Sequence, residues 1–533
     1  MKIRCLGAVR TVTGSCFQLQ NPHGGITILD CGLFQGGRQT ELRNFNTSLY
    51  RPEDVKAIVI THAHMDHSGL VPRLVKAGYR GPVYASAATC DLLGILWQDA
   101  ANIQRHEAMW KSKKNSRQGG AKVEPLYDLE AVGEAVKLLR PLGLNKITEI
   151  APDVEAELFT AGHILGAASV QFTVKEGEGD FKVLFSGDIG RTNQLLVEDP
   201  QIPSKSDMIF METTYGNRHH KGLENSIEEL VEVINLAYSQ GGKVLIPSFA
   251  VERTQELLVL LAQAWHQGRI PREMPIIIDS PLAIAASEIY LNHPELYDQE
   301  TRDMIKEGHS PMNMASLKIS RTSAESQKIN ETQNSCIVLA GSGMANAGRI
   351  LHHFKHNLWR PNCHVIFVGF QAQGTTGRRL VEGAQMVNIF RESIVVKAKV
   401  HTIGGFSGHA DQSELLQWLR PQIHDNLIVS LIHGEETGTL AFEAKLKEVF
   451  PNLKTIVPNW LQTLDSAELG LDLGTALPAP MLPPTPVTEI DSFNKRLERL
   501  RERFLQRKKS LAPERLASLE NLLVRAEEIL LGP

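Results

Sequence analysis

Four residues able to hold a cation fall within six positions in His62-Ala63-His64-Met65-Asp66-His67, directly after an apolar run over 55–61. That run predicts a strand that delivers the first histidine at its end. On an extended segment residues i and i+2 point the same way, so His62 and His64 can share one cation while the following turn carries Asp66 and His67 to another. The rest of the chain must then fold so that further ligands converge on this strand end. Two candidates sit at other predicted strand ends in the same half, His163 in TAGHILGA and Asp188 in FSGDIG. A carboxylate such as Asp188 can bridge two cations. Asp30 in ILDCG, also at a strand end, is placed to orient a ligand through a hydrogen bond.

The run lies in a part of the chain dominated by short apolar stretches, at 25–30, 55–61, 157–160, 168–174 and 181–186, which predict strands. From about 208 the rhythm becomes strand then helix, with strands at 208–211, 243–246, 275–278, 335–340 and 364–368 and helices at 225–239, 250–266, 281–291 and 345–358. That alternation predicts a mostly parallel sheet covered by helices. After 393 the earlier style returns, with a strand over 395–402, a helix from Asp411 and a strand over 427–432. A proline cluster from Pro478 to Pro486 predicts a stiff linker. Beyond it Phe493, Leu497, Leu500 and Phe504 recur at helical spacing before Pro513, which predicts a helical hairpin. A length of 533 residues leaves room for two or three domains.

Composition excludes several function classes. The 56 basic and 60 acidic side chains leave a net charge of −4, so no overall field draws the protein to nucleic acid or to an anionic membrane, and a polyanion site must be local. The six cysteines are scattered with no CxxC pair, which argues for reduced thiols rather than a disulfide framework, a zinc ribbon or a thioredoxin motif. No apolar run approaches about 18 residues, and the start lacks an apolar export segment, so the expectation is a cytoplasmic protein with no membrane partner.

The HxHxDH loop with its later histidine and aspartate resembles the metallo-β-lactamase fold superfamily, and more specifically its β-CASP branch of nucleases. In ordinary hydrolases of that superfamily the last histidine ligand follows the bridging aspartate closely. Here its counterpart, His433 in SLIHGE, comes 245 positions after Asp188, and the strand–helix region fills the gap. Glu212 in METTYG, His409 in GFSGHAD and His433 match the three β-CASP motifs, and the likeness covers roughly residues 1–460. Among β-CASP proteins the chain looks most like bacterial ribonucleases related to the endonuclease subunit of the eukaryotic pre-mRNA cleavage and polyadenylation machinery.

The resemblance implies an α/β fold, an αββα sandwich with an inserted β-CASP domain and a C-terminal helical tail. The expected boundaries are 1–207 and 393–470 for the two parts of the metallo-β-lactamase domain, 208–392 for the insertion, 471–487 for the linker and 488–533 for the tail. It implies two zinc ions per chain, one on His62, His64, His163 and Asp188 and the other on Asp66, His67, Asp188 and His433. Five imidazoles and two carboxylates suit zinc better than magnesium. Asp66, Glu212 and His409 become the catalytic residues, with Glu212 orienting His409 as a general acid. The implied activity is a zinc-dependent endoribonuclease acting on single-stranded RNA, with a 5′-to-3′ exonuclease mode open to the same site, and a homodimer as the assembly. A small-ester or thioester hydrolase and a non-catalytic RNA-binding scaffold are the rivals. The long insertion counts against the first, and the filled ligand positions count against the second.

Within the insertion, the loop Gly341-Ser342-Gly343-Met344 lies between a predicted strand and helix, where free backbone N–H groups can receive phosphate. Ser342 and Gly343 are the expected contacts, helped by Arg349, Arg253, Arg378 or Arg379. A dinucleotide site is excluded, since the next strand ends in Gly-Phe rather than an acidic ribose partner and no GxxxxGK[ST] occurs. His352, His353 and His356 are expected on an exposed or substrate-lining face, and His219 and His220 in a loop. Residues 105–122 read as a basic loop, carrying Arg105, Lys111, Lys113, Lys114, Arg117 and Lys122 against one glutamate.

Overall fold

A computed structural model describes residues 1–117, 120–176 and 179–467. The expected linker over 471–487 and the helical tail over 488–533 lie outside the described residues.

Two seven-stranded sheets pack face to face. The first runs in the order Thr463–Asp465, Lys2–Cys5, Phe17–Gln20, Ile26–Leu29, Val55–Val59, Val83–Ser86, Leu139–Leu142. The second runs Lys454–Ile456, Ile428–Ile432, Met208–Glu212, Gly179–Phe185, Ala168–Glu176, Val154–Thr160, Thr148–Ala151. Alternate residues explain the layering. Met208 and Phe210 enter the core between the sheets with Phe17, Phe172 and Phe185, while Ile209 and Met211 enter a second core against the helices Gln412–Leu419 and Glu436–Val449. The rings of Phe185 and Phe210 stack at 4.5 Å in the middle of the sandwich. Helices Val71–Lys76, Ala87–Ser116 and Leu129–Lys137 cover the outer face of the first sheet through Leu74, Leu92, Trp97 and Ala131. The result is the four-layer αββα sandwich.

Strand direction places the chemistry. Ile26–Leu29 and Val55–Val59 are parallel, so Asp30 and the 62–67 segment emerge at the same edge. In the second sheet Gly179–Phe185, Met208–Glu212 and Ile428–Ile432 are mutually parallel, and Val154–Thr160 shares their direction through two antiparallel pairings. Their carboxyl ends therefore present His163, Asp188, Glu212 and His433 together. The Ala168 N–H donates to the Thr61 carbonyl at 2.9 Å, fastening the two sheets at that edge.

The insertion is an all-parallel six-stranded sheet in the order Leu317–Ile319, Ile276–Ile278, Ile337–Ala340, Val244–Pro247, His364–Phe367, Lys399–Thr402. Both faces are covered, one by Leu257, Leu260 and Ile284 and the other by Ile350, Phe354 and Leu358. Two strands cross the expected boundaries. Met208–Glu212, expected as the first strand of the insertion, belongs to the second sandwich sheet. Lys399–Thr402, expected as part of the return, closes the edge of the insertion sheet. A parallel strand buried on both faces carries the same apolar run whichever sheet it joins.

Three local expectations change. Residues 105–116 are not a loop but the last turns of the 30-residue helix Ala87–Ser116. The helix predicted from 345 starts at Arg349, because 341–348 forms a loop that closes on itself. His353 is fully buried rather than on an exposed face: its Nε2 bonds Asp279 at 2.7 Å and its Nδ1 faces Asn330 Oδ1 at 2.9 Å. Asp279, also fully buried, accepts from Arg349 Nη1 at 2.6 Å and Ser326 Oγ at 2.5 Å. A buried carboxylate is tolerable only when paired and bonded in this way. Burial opposes its charge, but these partners win and hold its pKa below the usual carboxylate range.

The described cysteines are all free, and five of the six are buried. No helix among the described residues is long and apolar enough to cross a membrane.

Candidate metal centre

At the shared strand edge the imidazoles face one another nitrogen to nitrogen. His62 Nε2 lies 3.1 Å from His64 Nδ1, and His163 Nε2 lies 3.2 Å from the same atom. Asp188 Oδ2 completes the group at 3.5 Å from His62 Nε2 and 3.6 Å from His163 Nε2. A second group adjoins it. His67 Nε2 and His433 Nε2 are 3.1 Å apart, Asp188 Oδ1 is 3.3 Å from His67 Nε2, and Asp66 Oδ2 is 3.8 Å from His433 Nε2. Ligands at 2.0–2.1 Å around a tetrahedral ion are separated by about 3.3–3.4 Å, close to the edges of the first group and to the shorter edges of the second, which gathers Asp66, His67 and His433.

Four of the five rings have a hydrogen-bonding partner outside the cluster. Asp30 Oδ2 accepts from His67 Nδ1 at 2.6 Å, and Asp30 is itself held by the Thr61 N–H at 2.8 Å and by Ser15 Oγ at 3.0 Å. His62 Nδ1 meets Thr61 Oγ1 at 3.1 Å, the His163 Nδ1–H donates to the Gly408 carbonyl at 2.8 Å, and His433 Nδ1 meets Thr214 Oγ1 at 3.1 Å. For His62, His67 and His163 these contacts leave Nε2 facing inward, whereas His64 turns its Nδ1 inward and His433 Nδ1 also lies 3.4 Å from Asp188 Oδ1. Gly32 makes the packing possible, since a Cβ there would fall 1.6 Å from the Asp66 carbonyl oxygen.

The electrostatics fit the same purpose. Burial holds His62 and His163 well below the usual imidazole range, so both rings are neutral and ready to ligate. Burial also opposes the charge on Asp188, yet His433 and His67 beside it hold its pKa well below the usual carboxylate range. Its Oδ1 is buried without a hydrogen-bond donor. An ionised, buried and unsatisfied oxygen between two rings of acceptor nitrogens fits a positive ion on each side. The donor set therefore suits a dinuclear centre bridged by Asp188.

Glu212 and His409 stand beside it. Glu212 is fully buried, accepting from the Ile189 N–H at 2.6 Å and the Thr214 N–H at 3.2 Å, with His409 Nδ1 at 3.3 Å. The His409 side chain keeps 21% of its surface exposed and lies 4.0 Å from Asp188 Oδ2. Burial works against a charged ring, but Glu212 and Asp188 carry its pKa up to about 10.

The expected phosphate contacts are not gathered in one place. Arg253 is buried between Glu252 and Glu256, Arg349 is bound to Asp279, and Arg378 pairs with Glu382 at 2.7 Å. Ser342 Oγ accepts from the N–H groups of Asn346 and Ala347 at 3.2 and 3.3 Å. Gly343 lies buried with its carbonyl on Gln371 Nε2 at 3.0 Å.

One residue at the site escaped the sequence reading. Glu252 sits at φ 71°, ψ −67°, in a tight turn where the Arg253 N–H reaches the Val251 carbonyl at 3.1 Å. A Cβ on Gly408 would come within 3.2 Å of Glu252 Oε1 and 3.3 Å of the His163 ring, so this insertion carboxyl closes over the segment that holds His163. Burial raises it to about 7, with Arg253 pulling it back. The helix predicted from 250 swallows this residue, and nothing in its spacing sets it apart. Gly408, by contrast, adjoins the motif residue His409.

A four-layer sandwich with two adjoining histidine–carboxylate clusters suited to cations at one strand edge defines a metallo-hydrolase of the metallo-β-lactamase fold. The model of the metallo-beta-lactamase superfamily matches residues 10–239, that of the Beta-Casp domain 254–380, and that of the Zn-dependent metallo-hydrolase RNA specificity domain 393–458. Ribonuclease TTHA0252 of Thermus thermophilus is 39% identical over 441 residues, covering 83% of this chain and 95% of that protein. Transcription termination factor FttA of Methanosarcina mazei is 32% identical, covering 86% of this chain and 71% of its own length. Its namesake from Methanocaldococcus jannaschii is 31% identical, with 86% and 70% covered. The chain belongs to the β-CASP family of the metallo-β-lactamase superfamily.

Proposed function

We propose that this protein is a zinc-dependent endoribonuclease that hydrolyses phosphodiesters of single-stranded RNA, leaving 5′-phosphate and 3′-hydroxyl ends. The observation that carries the reading is the pairing of two adjoining histidine–carboxylate clusters, both faced by Asp188, with the Glu212–His409 couple at their rim. Five nitrogen and two carboxylate donors support zinc at both positions. When bound, the two ions supply Lewis acidity toward a phosphodiester and the means to activate water at neutral pH.

The chain's own residues do the rest. Asp188, His67 and His433 fix the spacing of the two positions, and Asp30, Thr61, Thr214 and the Gly408 carbonyl keep the rings from turning. Glu212 holds His409 at its Nδ1, so the protonated ring is available at the exposed rim to give a proton to the departing ribose oxygen. RNA as substrate is supported by the name of the Thermus relative and by the RNA specificity domain over 393–458, which contains His409 and His433. Exonuclease action from a 5′ end uses the same centre. Incubation of the zinc-loaded protein with labelled single-stranded RNA, a matched DNA and a generic thioester tests the reading, and cleavage within the RNA is expected. Thioester hydrolysis without RNA cleavage would return the centre to the small-substrate hydrolases, and inactivity on all three would leave a binding scaffold.

The basic segment gives a separate expectation. Arg105, Lys111, Lys113 and Lys114 lie exposed along the end of Ala87–Ser116, and Lys114 Nζ sits 5.6 Å from the centre of the Trp110 ring, which is 58% exposed. Only Lys111 has an acidic partner on this helix, Glu107 at 3.1 Å. Replacing Lys111, Lys113 and Lys114 by alanine should weaken RNA binding and flatten its log–log salt dependence by about 0.7 for each phosphate no longer neutralised. An unchanged slope in a salt titration would show the helix end to be merely solvated.

A further inference from the structure

In open α/β sheets ligands bind in the crevice outside the carboxyl ends of the strands. In the insertion, the neighbouring strands Ile337–Ala340, Val244–Pro247 and His364–Phe367 deliver the loops 341–348, 248–252 and 368–375 to one such edge. The next strand, Lys399–Thr402, is parallel to them and runs on into the segment that carries Gly408 and His409. The edge is thus continuous with the cation centre.

Two large aromatic side chains stand open on it, Phe249 at 48% exposure and Phe370 at 55%. Phe249 is firmly held from below. A Cβ on Gly343 would come within 2.8 Å of its Cε2 and 2.9 Å of its Cδ2, so the ring rests on a backbone that only glycine allows. Its carbonyl accepts from Thr254 Oγ1 at 2.6 Å. Gln371, next to Phe370, reaches across to the Gly343 carbonyl and ties the two loops together. Three residues beyond Phe249 the chain arrives at Glu252, against Gly408 and the His163 ring. Three residues span at most about 11 Å, so Phe249 stays within reach of the nucleotides that flank a phosphate at the centre.

We propose that Phe249, with Phe370 on the adjoining loop, forms a stacking subsite for an unpaired base of the RNA next to the bond that is cut. The proposal rests on the ribonuclease reading and deepens it. One side of the Phe249 ring is taken by Gly343 and the rest is open, the arrangement that a base completes as a third layer. A base inside a duplex has both faces covered by its neighbours and cannot enter, so the subsite selects single strands at the point of cutting. The fixed loop means that little freedom is lost on binding.

The test uses the full-length, zinc-loaded chain carrying His409→Ala to suppress cleavage, and a single-stranded RNA with 2-aminopurine scanned across the nucleotides flanking the cut. Base stacking on an aromatic ring corresponds to about 5- to 100-fold in affinity. At one position the fluorescence should be quenched on binding. Phe249→Ala should abolish that quenching and weaken binding by this factor with metal content and salt slope unchanged, and Phe249→Trp should preserve it. With an abasic nucleotide at that position, the chain that keeps Phe249 and its Phe249→Ala variant should bind equally. A loss of equal size on intact and abasic RNA, a loss of metal, or no loss would overturn the subsite. The two readings fail separately. A protein with an intact His409 that binds and quenches the RNA but never cuts it overturns the ribonuclease reading alone. One that cuts it and is indifferent to Phe249→Ala overturns the subsite alone, and a protein that binds no RNA overturns both.

Discussion

Asp188→Asn is expected to abolish hydrolysis, lowering it by at least about 10⁴-fold, because a single change damages both cation positions and with them the stabilisation of charge in the transition state. Asp188 Oδ2 faces His62 and His163, while Oδ1 faces His67 and His433. Asparagine keeps the shape but offers one oxygen in place of two and removes the charge between five imidazoles. Elemental analysis of the purified wild type should find close to two transition-metal ions per chain, and the variant should hold less than one. His433→Ala is the informative contrast, since it removes a ligand from one group only and should leave about one ion. Wild-type metal content in Asp188→Asn would show that the two groups do not share this residue.

Glu212→Gln and His409→Ala should each slow RNA cleavage by about 10²–10⁴-fold, the range for losing general-acid assistance, with metal content intact. Glu212 touches His409 Nδ1 at 3.3 Å, and its remaining bonds are to backbone N–H groups. The pair acts as one device, so the double variant should be little worse than the weaker single one. Single-turnover rates with saturating RNA would separate this loss from weakened binding. Full activity in either variant would remove His409 from proton transfer. Loss of metal in Glu212→Gln would instead place the carboxylate, with Asp188 and His409, in a third ligand group.

The centre was legible because its residues sit where strands end. His62, His64, Asp66, His67, His163, Asp188, Glu212 and His433 each follow an apolar run closely, and such runs are visible without knowing which strands pair. Partnership across the chain was not visible. His353 looked like one of three histidines on a helix, and the carboxylate that pairs with it, Asp279, lies 74 positions away at the end of the strand Ile276–Ile278. Arg349 looked free for phosphate until Asp279 was brought to it, whereas Arg253 is held by its own sequence neighbours Glu252 and Glu256. The boundary at 208 failed for a related reason: MIFME would suit either sheet, and only the pairing of Met208–Glu212 with Ile428–Ile432 decides between them. The helix Ala87–Ser116 outruns the part that packs on the sandwich, so its charged end carries no apolar periodicity to mark it as helical. Phe249 and Glu252 fall in a turn whose left-handed residue is a glutamate, where a glycine would have been noticed.

The strand that carries His433 is inserted between Met208–Glu212 and Lys454–Ile456, and this ordering bears on the protein's manufacture. A chain leaving the ribosome emerges amino end first and folds domain by domain. By residue 188 it already possesses every ligand of one cation group. His409, the proposed proton donor, is absent until its stretch has emerged, and the second group stays open until 433 slides into its place in an existing sheet. A nascent chain shorter than this carries no complete centre, so under the proposed function it can attack RNA only when almost the whole of its sandwich has been read out.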